Sequence, residues 1–383
     1  MNRKNVKLLL FTLTFAAGEG LAELCSGGAD SWPLFALLAF LTLLFGYGLA
    51  LRGWSFLFAL LLGLALALGA HSRTAHDFRA RPWLNRSHQY HPAIQQASPL
   101  RERLSVRLGM GLDHDPVAAG INRALLLGER SALTNDLRRA FVESGTIHIF
   151  AISGMHVMII AGVFLFLAAI TFVPWRCQGA ITLPLLWGYV YIIGAPPSAV
   201  RAALMASFMM SATLFGRQRD SVRAWCFAFL IMHGGRPSLI ADVGSQLSFL
   251  VVLVILLAHR YRLWILPMAW LASLPLGACV FGRITPGGML ANVLIAGAAT
   301  YSVVTSTISL LFGYVSVSLG ETLNNFSALV TRWMCMMARV VAEIPGSNWE
   351  IGKWSVAQCL EGYVALGLFF VWRHLVEARR RVL

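Results

Sequence analysis

The densest polar chemistry in this 383-residue chain lies in one short string, His148-Ile-Phe-Ala-Ile-Ser-Gly-Met-His156. Read as one helix, positions 148 and 156 sit about 80° apart, so both imidazoles face one groove. Ser153 and Gly154 between them permit close backbone approach. Three roles are open to the string: Ser153 and His156 as nucleophile and base, the two imidazoles as donors lining a polar path, or plain helix packing. Gly-x-Ser-x-Gly is absent, and a serine inside an apolar helix ordinarily bonds its own i−4 carbonyl, which counts against the nucleophile.

Other polar groups fall inside or beside apolar segments, where they are costly and therefore functional candidates. Arg201 follows Pro196-Pro197-Ser198 at the start of one such segment. Its bland alternative is snorkelling to the membrane interface. Asp242, Gln246 and Ser248 form a polar stripe in Asp-Val-Gly-Ser-Gln-Leu-Ser-Phe, with 242 and 246 at i and i+4 on one helix face. Asn292 follows the break Pro286-Gly-Gly. These residues mark interrupted helices that could enclose one polar path. A second group of cations, Arg101, Arg103, Arg107, Arg123, Arg138 and Arg139, is suited to gathering phosphates. No Walker A loop and no H-x-H-x-D-H string occurs, and the six cysteines form no C-x-x-C pair. No metal site, cofactor or energy-coupling site is expected.

The elements that must position these residues follow from composition. Hydrophobic residues make up 57% of the chain and charged residues 13%, about half the usual share, and the mean hydropathy is +0.68. A soluble enzyme and a disordered chain are both excluded, and long unbroken apolar runs exclude a β-barrel. The expected class is an all-α polytopic membrane protein with about twelve membrane segments, several of them short and broken by Gly or Pro. Apolar runs fall at about 6–23, 32–51, 53–70, 148–173, 180–195, 198–215, 222–235, 244–258, 263–282, 288–313 and 357–373. An amphipathic candidate follows at 322–345.

Four regions result: N-terminal membrane helices at 1–70, an extracytoplasmic polar segment at 71–116, a core at 117–313, and C-terminal helices with a basic tail at 314–383. Two amphipathic helices, at 117–127 and 135–143, read as lying on the membrane, with Gly128 ending the first and Thr134 capping the second. Lys plus Arg number 31 against 17 acids. Starting with the N-terminus inside, the inner loops collect fourteen of these cations, from Arg3 to Arg381, against Arg236, Arg283 and Lys353 outside. Both termini are therefore expected to be cytoplasmic.

Five strings, in one order, then carry a resemblance. They are Ala124-Leu-Leu-Leu-Gly-Glu-Arg-Ser131, Ser144-Gly-Thr-Ile-His148 through His156-Val157, and Gly194-Ala-Pro-Pro-Ser-Ala-Val-Arg201-Ala-Ala-Leu204. Asp242 to Phe249 and Ile284-Thr-Pro-Gly-Gly-Met-Leu-Ala-Asn292 complete the set. Together, over roughly residues 100–313, they resemble the ComEC family of competence proteins. The resemblance implies an inner-membrane channel that passes one strand of transforming DNA and is not itself an enzyme. Implied partners are single-stranded DNA, a cytoplasmic ATPase motor, extracytoplasmic DNA-receptor proteins and membrane lipids, with self-association left open. Longer members carry an OB-fold and a metallo-β-lactamase-like domain; the short 71–116 segment and the end at Leu383 lead one to expect a version lacking both. The alternatives are a small-solute or lipid-linked transporter, or a membrane hydrolase using Ser153 and His156.

Overall fold

The computed structural model describes residues 99–129, 133–240, 242–260 and 263–380, together with Leu8, Thr12, Phe15 and Ala16. The segments expected at 6–23, 32–51 and 53–70 and most of the polar 71–116 stretch lie outside the described residues. What is described is helical: twelve α-helices, two short 3₁₀ turns and two strands of two residues each. It divides into two compact units, and the stretch expected as one core, 117–313, contributes to both.

The first unit spans 89–219 and 285–349. Its helices are α1 (Pro99–Gly109), α2 (Pro116–Leu127), α3 (Asn135–Glu143), α4 (Gly154–Ile170), α5 (Gln178–Ile192) and α6 (Pro197–Leu214). Asp115 starts α2 by accepting the Ala118 N–H at 3.0 Å, with Pro116 at the first helical position, where no N–H is needed. Gly128 ends α2 in the left-handed conformation, φ 74°, as its position predicts, and the Thr134 hydroxyl accepts the Leu137 N–H to start α3. The helix α2 does not lie on a surface, however. Nine of its twelve residues are buried, because alanine and leucine occupy nearly its whole circumference rather than one stripe.

Two apolar cores hold this unit. One gathers Ile121, Leu125, Phe141, Phe150, Ile295 and Val303, with Phe141 and Phe150 meeting edge to face at 4.7 Å. The other packs an alanine stripe of α6, Ala199, Ala202, Ala203 and Ala206, against Val157 and Ala161 of α4 and Leu186 and Val190 of α5. Small side chains let these three helices approach closely.

The second unit spans 220–284 and 350–383, with α7 (Ser221–Gly235), α8 (Val243–Arg260), α9 (Ile265–Phe281) and β1 (Arg283–Ile284). The first unit is then completed by α10 (Gly287–Phe312) and α11 (Val317–Glu343), which form a tight antiparallel hairpin. A Cβ added at Gly320 of α11 would lie 3.1 Å from Gly313 Cα in the hairpin turn, so the two backbones are in contact there. The expected boundary between 313 and 314 falls in this turn. After β2 (Trp349–Glu350), the last helix, α12 (Val356–Arg380), packs on α9 through a Tyr363 hydroxyl that donates to the Ala272 carbonyl at 3.2 Å.

Among the described residues, α10 is the one helix both long and apolar enough to cross a membrane: 26 residues, with an 18-residue stretch of mean hydropathy 1.6, half of that stretch buried. Its length is about 39 Å. Four shorter helices, α2, α4, α8 and α9, are apolar, the longest rising about 27 Å against the roughly 30 Å of a bilayer core.

Candidate functional site

The expected helix through 148–173 does not run through its polar string. Residues Ile147–Phe150 form a 3₁₀ turn, 151–153 leave it, and α4 begins only at Gly154. His148 and His156 are therefore not two positions of one helix, and Ser153 is the residue before a helix rather than one inside it. The i−4 bond expected for Ser153 has no helix in which to form. Instead its hydroxyl lies 2.9 Å from His156 Nδ1, and its backbone N–H donates to the same nitrogen at 3.2 Å. Accepting that N–H leaves Nδ1 unprotonated, so the ring is the neutral tautomer with its proton on Nε2, and the Ser153 hydroxyl donates to Nδ1. His156 thus reaches back over the start of its own helix, as the third helical residue does in a capping box.

Arg201 and Gly154 meet at this break. A Cβ at Gly154 would sit 3.1 Å from Arg201 Nη2, so a methyl there would press on the guanidinium, which would have to give by a few tenths of an ångström. Arg201 is 4% exposed, which rules out the snorkelling alternative. One turn earlier on α6, the Ser198 hydroxyl donates to the Ile152 carbonyl. The connection into α6 is tight: Gly194 and Ala195 both have positive φ, 83° and 49°, the latter a costly conformation for a residue with a Cβ.

Asn292 also belongs here. It lies on the second turn of α10 with its side chain toward His148, while Gly145, φ 73°, abuts Thr285 and Gly288 at the start of that helix. His148 is exposed, and its ring is near enough to His156 for their charges to interact. The structure therefore brings His148, Ser153, Gly154, His156, Arg201 and Asn292 into one neighbourhood, where α4, α6 and α10 all begin.

Asp242, Gln246 and Ser248 belong to the second unit. Asp242 precedes α8 and accepts the Ser245 N–H at 2.7 Å, while Gln246, 8% exposed, donates to the Ile240 carbonyl at 2.8 Å. The expected i, i+4 stripe is thus a cap and a loop anchor; Ser248 is half-buried in α8. Beside them stands a residue that sequence reading passed over. His233, 2% exposed on α7, offers Nδ1 to the Phe229 carbonyl and faces the Ser245 hydroxyl at 3.4 Å.

The phosphate-gathering arginines divide. Arg101 is buried, with Nε 3.3 Å from Glu129 and Nη2 donating to the Leu127 carbonyl, and is a structural ion pair rather than a surface cation. Arg107 lies 3.5 Å over the Tyr314 ring, and Arg123 donates to the Ser105 carbonyl at 2.9 Å. Arg139 pairs with Glu143. Arg103 and Arg138 are exposed.

A buried polar seam was also missed. Asn122 of α2, fully buried, accepts from the hydroxyls of Ser302 on α10 and Ser327 on α11 at 3.0 and 2.8 Å. Ser309, two turns further along α10, donates to Asn324 Oδ1 at 2.8 Å, and Asn324 Nδ2 donates to the Arg107 and Met110 carbonyls. The signal was present as Ser302, Ser306 and Ser309 at i, i+4 and i+7, one stripe on an apolar helix. Near this hairpin, burial pushes the Asp115 carboxyl up, but the Ala118 amide and the Arg332 guanidinium outweigh it and hold the group below its usual range.

A helical protein whose polar residues collect at helix breaks is the class that this geometry defines. Comparison of the sequence narrows it. A family model described as Competence protein matches residues 125–376, and the chain belongs to that family. The ComE operon protein 3 of Bacillus subtilis (strain 168) is 27% identical over 242 residues, covering 60% of this chain and 31% of that protein. The competence protein ComA of Neisseria gonorrhoeae is 32% identical over 160 residues, covering 38% of this chain and 22% of that one. The matched stretch thus spans about a third or less of either relative. No solved structure matches the chain.

Proposed function

We propose that this protein acts in DNA uptake as a channel of the cytoplasmic membrane that passes single-stranded DNA during natural transformation. The observation that carries the reading is the family match over 125–376, which contains the α4, α6 and α10 starts and all six residues gathered there. The physics is compatible: a polyanion crossing a low-dielectric layer needs fixed donors along its path, and interrupted helices supply them. Exposed Arg103 and Arg138 would meet the strand first, and His148, Ser153, Arg201 and Asn292 would receive it. Twelve crossings, with both termini cytoplasmic, complete the reading. Driving force would come from a cytoplasmic ATPase pulling the strand, with DNA-receptor proteins delivering it from outside.

A hydrolase is the second reading, favoured by the 2.9 Å contact between Ser153 and His156. The capping geometry accounts for the same contact without catalysis. A deletion strain tests the first reading directly. Transformation should be lost while growth on solutes is unaffected; normal transformation would overturn it.

A further inference from the structure

The last helix of the second unit meets α9 along a continuous line of contacts. After β1 the chain leaves this unit and returns at β2, so α12 is held on α9 by packing rather than by a short connection. The contacts run antiparallel. The Ile351 N–H donates to the Gly282 carbonyl at 3.0 Å and the Trp354 N–H to the Ala278 carbonyl at 3.2 Å. Further along, a Cβ added at Gly362 would lie 2.9 Å from Pro275 Cγ, and the Tyr363 hydroxyl reaches the Ala272 carbonyl. Arg283 and Glu350 pair beside the two short strands.

Cys359 falls between the Trp354 and Gly362 contacts, and Cys279 follows Ala278 on the facing helix. Cys359 is fully buried, and its thiol comes within side-chain hydrogen-bonding reach of the Cys279 thiol. Both are free thiols. A disulfide needs its two Cα atoms within about 7 Å, and the absent side chain at Gly362, one turn on from Cys359, lets the helix backbones come that near. Cys279 is half-buried, so one sulfur of the pair is open to a reagent from outside. The neighbouring cations Arg283 and Lys353 stand in the loops expected on the outer side of the membrane. Extracytoplasmic compartments are the ones in which thiol pairs become disulfides.

We propose that Cys279 and Cys359 are an oxidation site: they form a disulfide in the membrane-bound protein and staple α12 to α9 across a loop of about 80 residues. The oxidant is an external disulfide, such as that of an extracytoplasmic dithiol protein. The accessible Cys279 thiolate attacks one sulfur of that disulfide and releases the other as a thiol. The Cys359 thiolate then attacks the Cys279 sulfur of the mixed disulfide and releases the second external thiol. Two protein thiols are oxidised, one external disulfide is reduced to two thiols, and the two protons pass to the released sulfurs. The closed loop contains α10 and α11, so the staple also fixes where that hairpin's segment leaves and re-enters the second unit. Of the function proposed above, only the outer placement of Arg283 and Lys353 enters; DNA passage does not.

The test uses the full chain, with differential thiol alkylation and peptide mass spectrometry to identify each linked pair. In neutral detergent micelles, oxidised glutathione should produce the Cys279–Cys359 pair in most molecules, while exposed Cys177 gains only glutathione. The oxidised protein should melt at least about 5 °C above the same sample after reduction. Cys359→Ala should abolish both the pair and the redox dependence of melting. Cys279→Ser, at a half-buried position, should do the same where the first variant does not fold. Membranes quenched in acid before alkylation should already carry the pair. Absence of the pair in micelles, or Cys279 linked to Cys177 instead, overturns the proposal, and equal melting of the two forms overturns the staple. A pair that forms in micelles but is reduced in quenched membranes overturns the disulfide in the cell and the outer placement of Arg283 and Lys353. DNA uptake is judged separately, by the deletion strain.

Discussion

Replacing Ser153 by alanine separates a helix start from a nucleophile, because the two roles differ in size by orders of magnitude. The structure gives Ser153 two local tasks: residue before the first turn of α4, and hydroxyl donor to His156 Nδ1 at 2.9 Å. Losing a serine at that position costs about 1 kcal/mol. The hydroxyl bond adds about 1 kcal/mol net, and Nδ1 stays satisfied because the Ser153 N–H still donates to it. The expected loss is therefore about 1–2 kcal/mol out of the roughly 5–15 kcal/mol of a folded domain, which leaves nearly all the protein native. Transformation frequency, measured in a complemented deletion strain and normalised to inserted protein by immunoblot, should fall by no more than about tenfold.

His156→Ala should cost more, since it empties a fully buried ring site and frees the Ser153 N–H. The double variant should be milder than the sum by about the one bond the pair shares. A catalytic pair behaves otherwise: either change alone abolishes activity, and the second adds almost nothing. Complete loss at Ser153 in well-inserted protein, with the double variant no worse, would refute the capping and path readings together and establish the enzyme.

Four further outcomes follow from the geometry. Asp115→Asn should lower stability near neutral pH by about 0.5–1 kcal/mol, read by thermal melting, because asparagine still caps α2 but drops the charged contact to Arg332. The Asp115 carboxyl titrates below its usual 3.8 in the folded chain, so its contribution is present above that value and lost as pH falls through the folded one; the variant and wild-type curves should converge in acid. Gly320→Val should destabilise the α10–α11 hairpin by about 1–3 kcal/mol, since its Cβ would meet Gly313 Cα at 3.1 Å; an unchanged melting point would mean the backbones are not in contact. Removing Arg103 and Arg138 together should flatten the salt dependence of single-strand binding by up to about 1.4 in log–log slope, whereas Arg101→Ala should instead lower the yield of folded protein. A reporter fused after Arg219 should read cytoplasmic, and an external signal would sink the twelve-crossing topology.

The start and stop signals of the helices were legible because they are local. Thr134 and Gly128 act through bonds to residues three or four away, and they bound α3 and α2 as their types predict. Hydropathy also located α10 and α4 to within a few residues at their C-terminal ends. The break at 151–153 was not legible, since Ile-Phe-Ala-Ile is as apolar as any helix and periodicity sees no difference between a helix and an apolar turn. What breaks the helix is tertiary: Ser198 holds the Ile152 carbonyl, and Arg201 needs the space at Gly154. The burial of Arg101 was equally hidden, because its partners Glu129 and the Leu127 carbonyl stand 26 to 28 positions away. Asp242 failed in the other direction, its spacing to Gln246 suggesting a shared face when it lies before the helix.

Two polar groups buried in the same unit do different work in the packing. Along α10 and α11 the hydroxyls of Ser302, Ser306, Ser309 and Ser327 bond one another or asparagine side chains, so they tie two helices and α2 together at fixed register. Replacing such a seam by apolar residues of similar shape would alter packing while removing nothing that a ligand needs. At the starts of α4, α6 and α10 the contacts are local instead: Ser198 holds the Ile152 carbonyl, the Gly287 N–H donates to the Ser347 carbonyl, and Arg201 abuts Gly154. Both groups sit on small residues that admit close backbones, so composition alone does not tell them apart. Satisfaction does not separate them either: Asn122 Nδ2 in the seam and His156 Nε2 at the junction are both buried nitrogens without a hydrogen-bond partner among the described residues, so the difference lies in what each group joins, two packed helices in one case and three helix starts in the other.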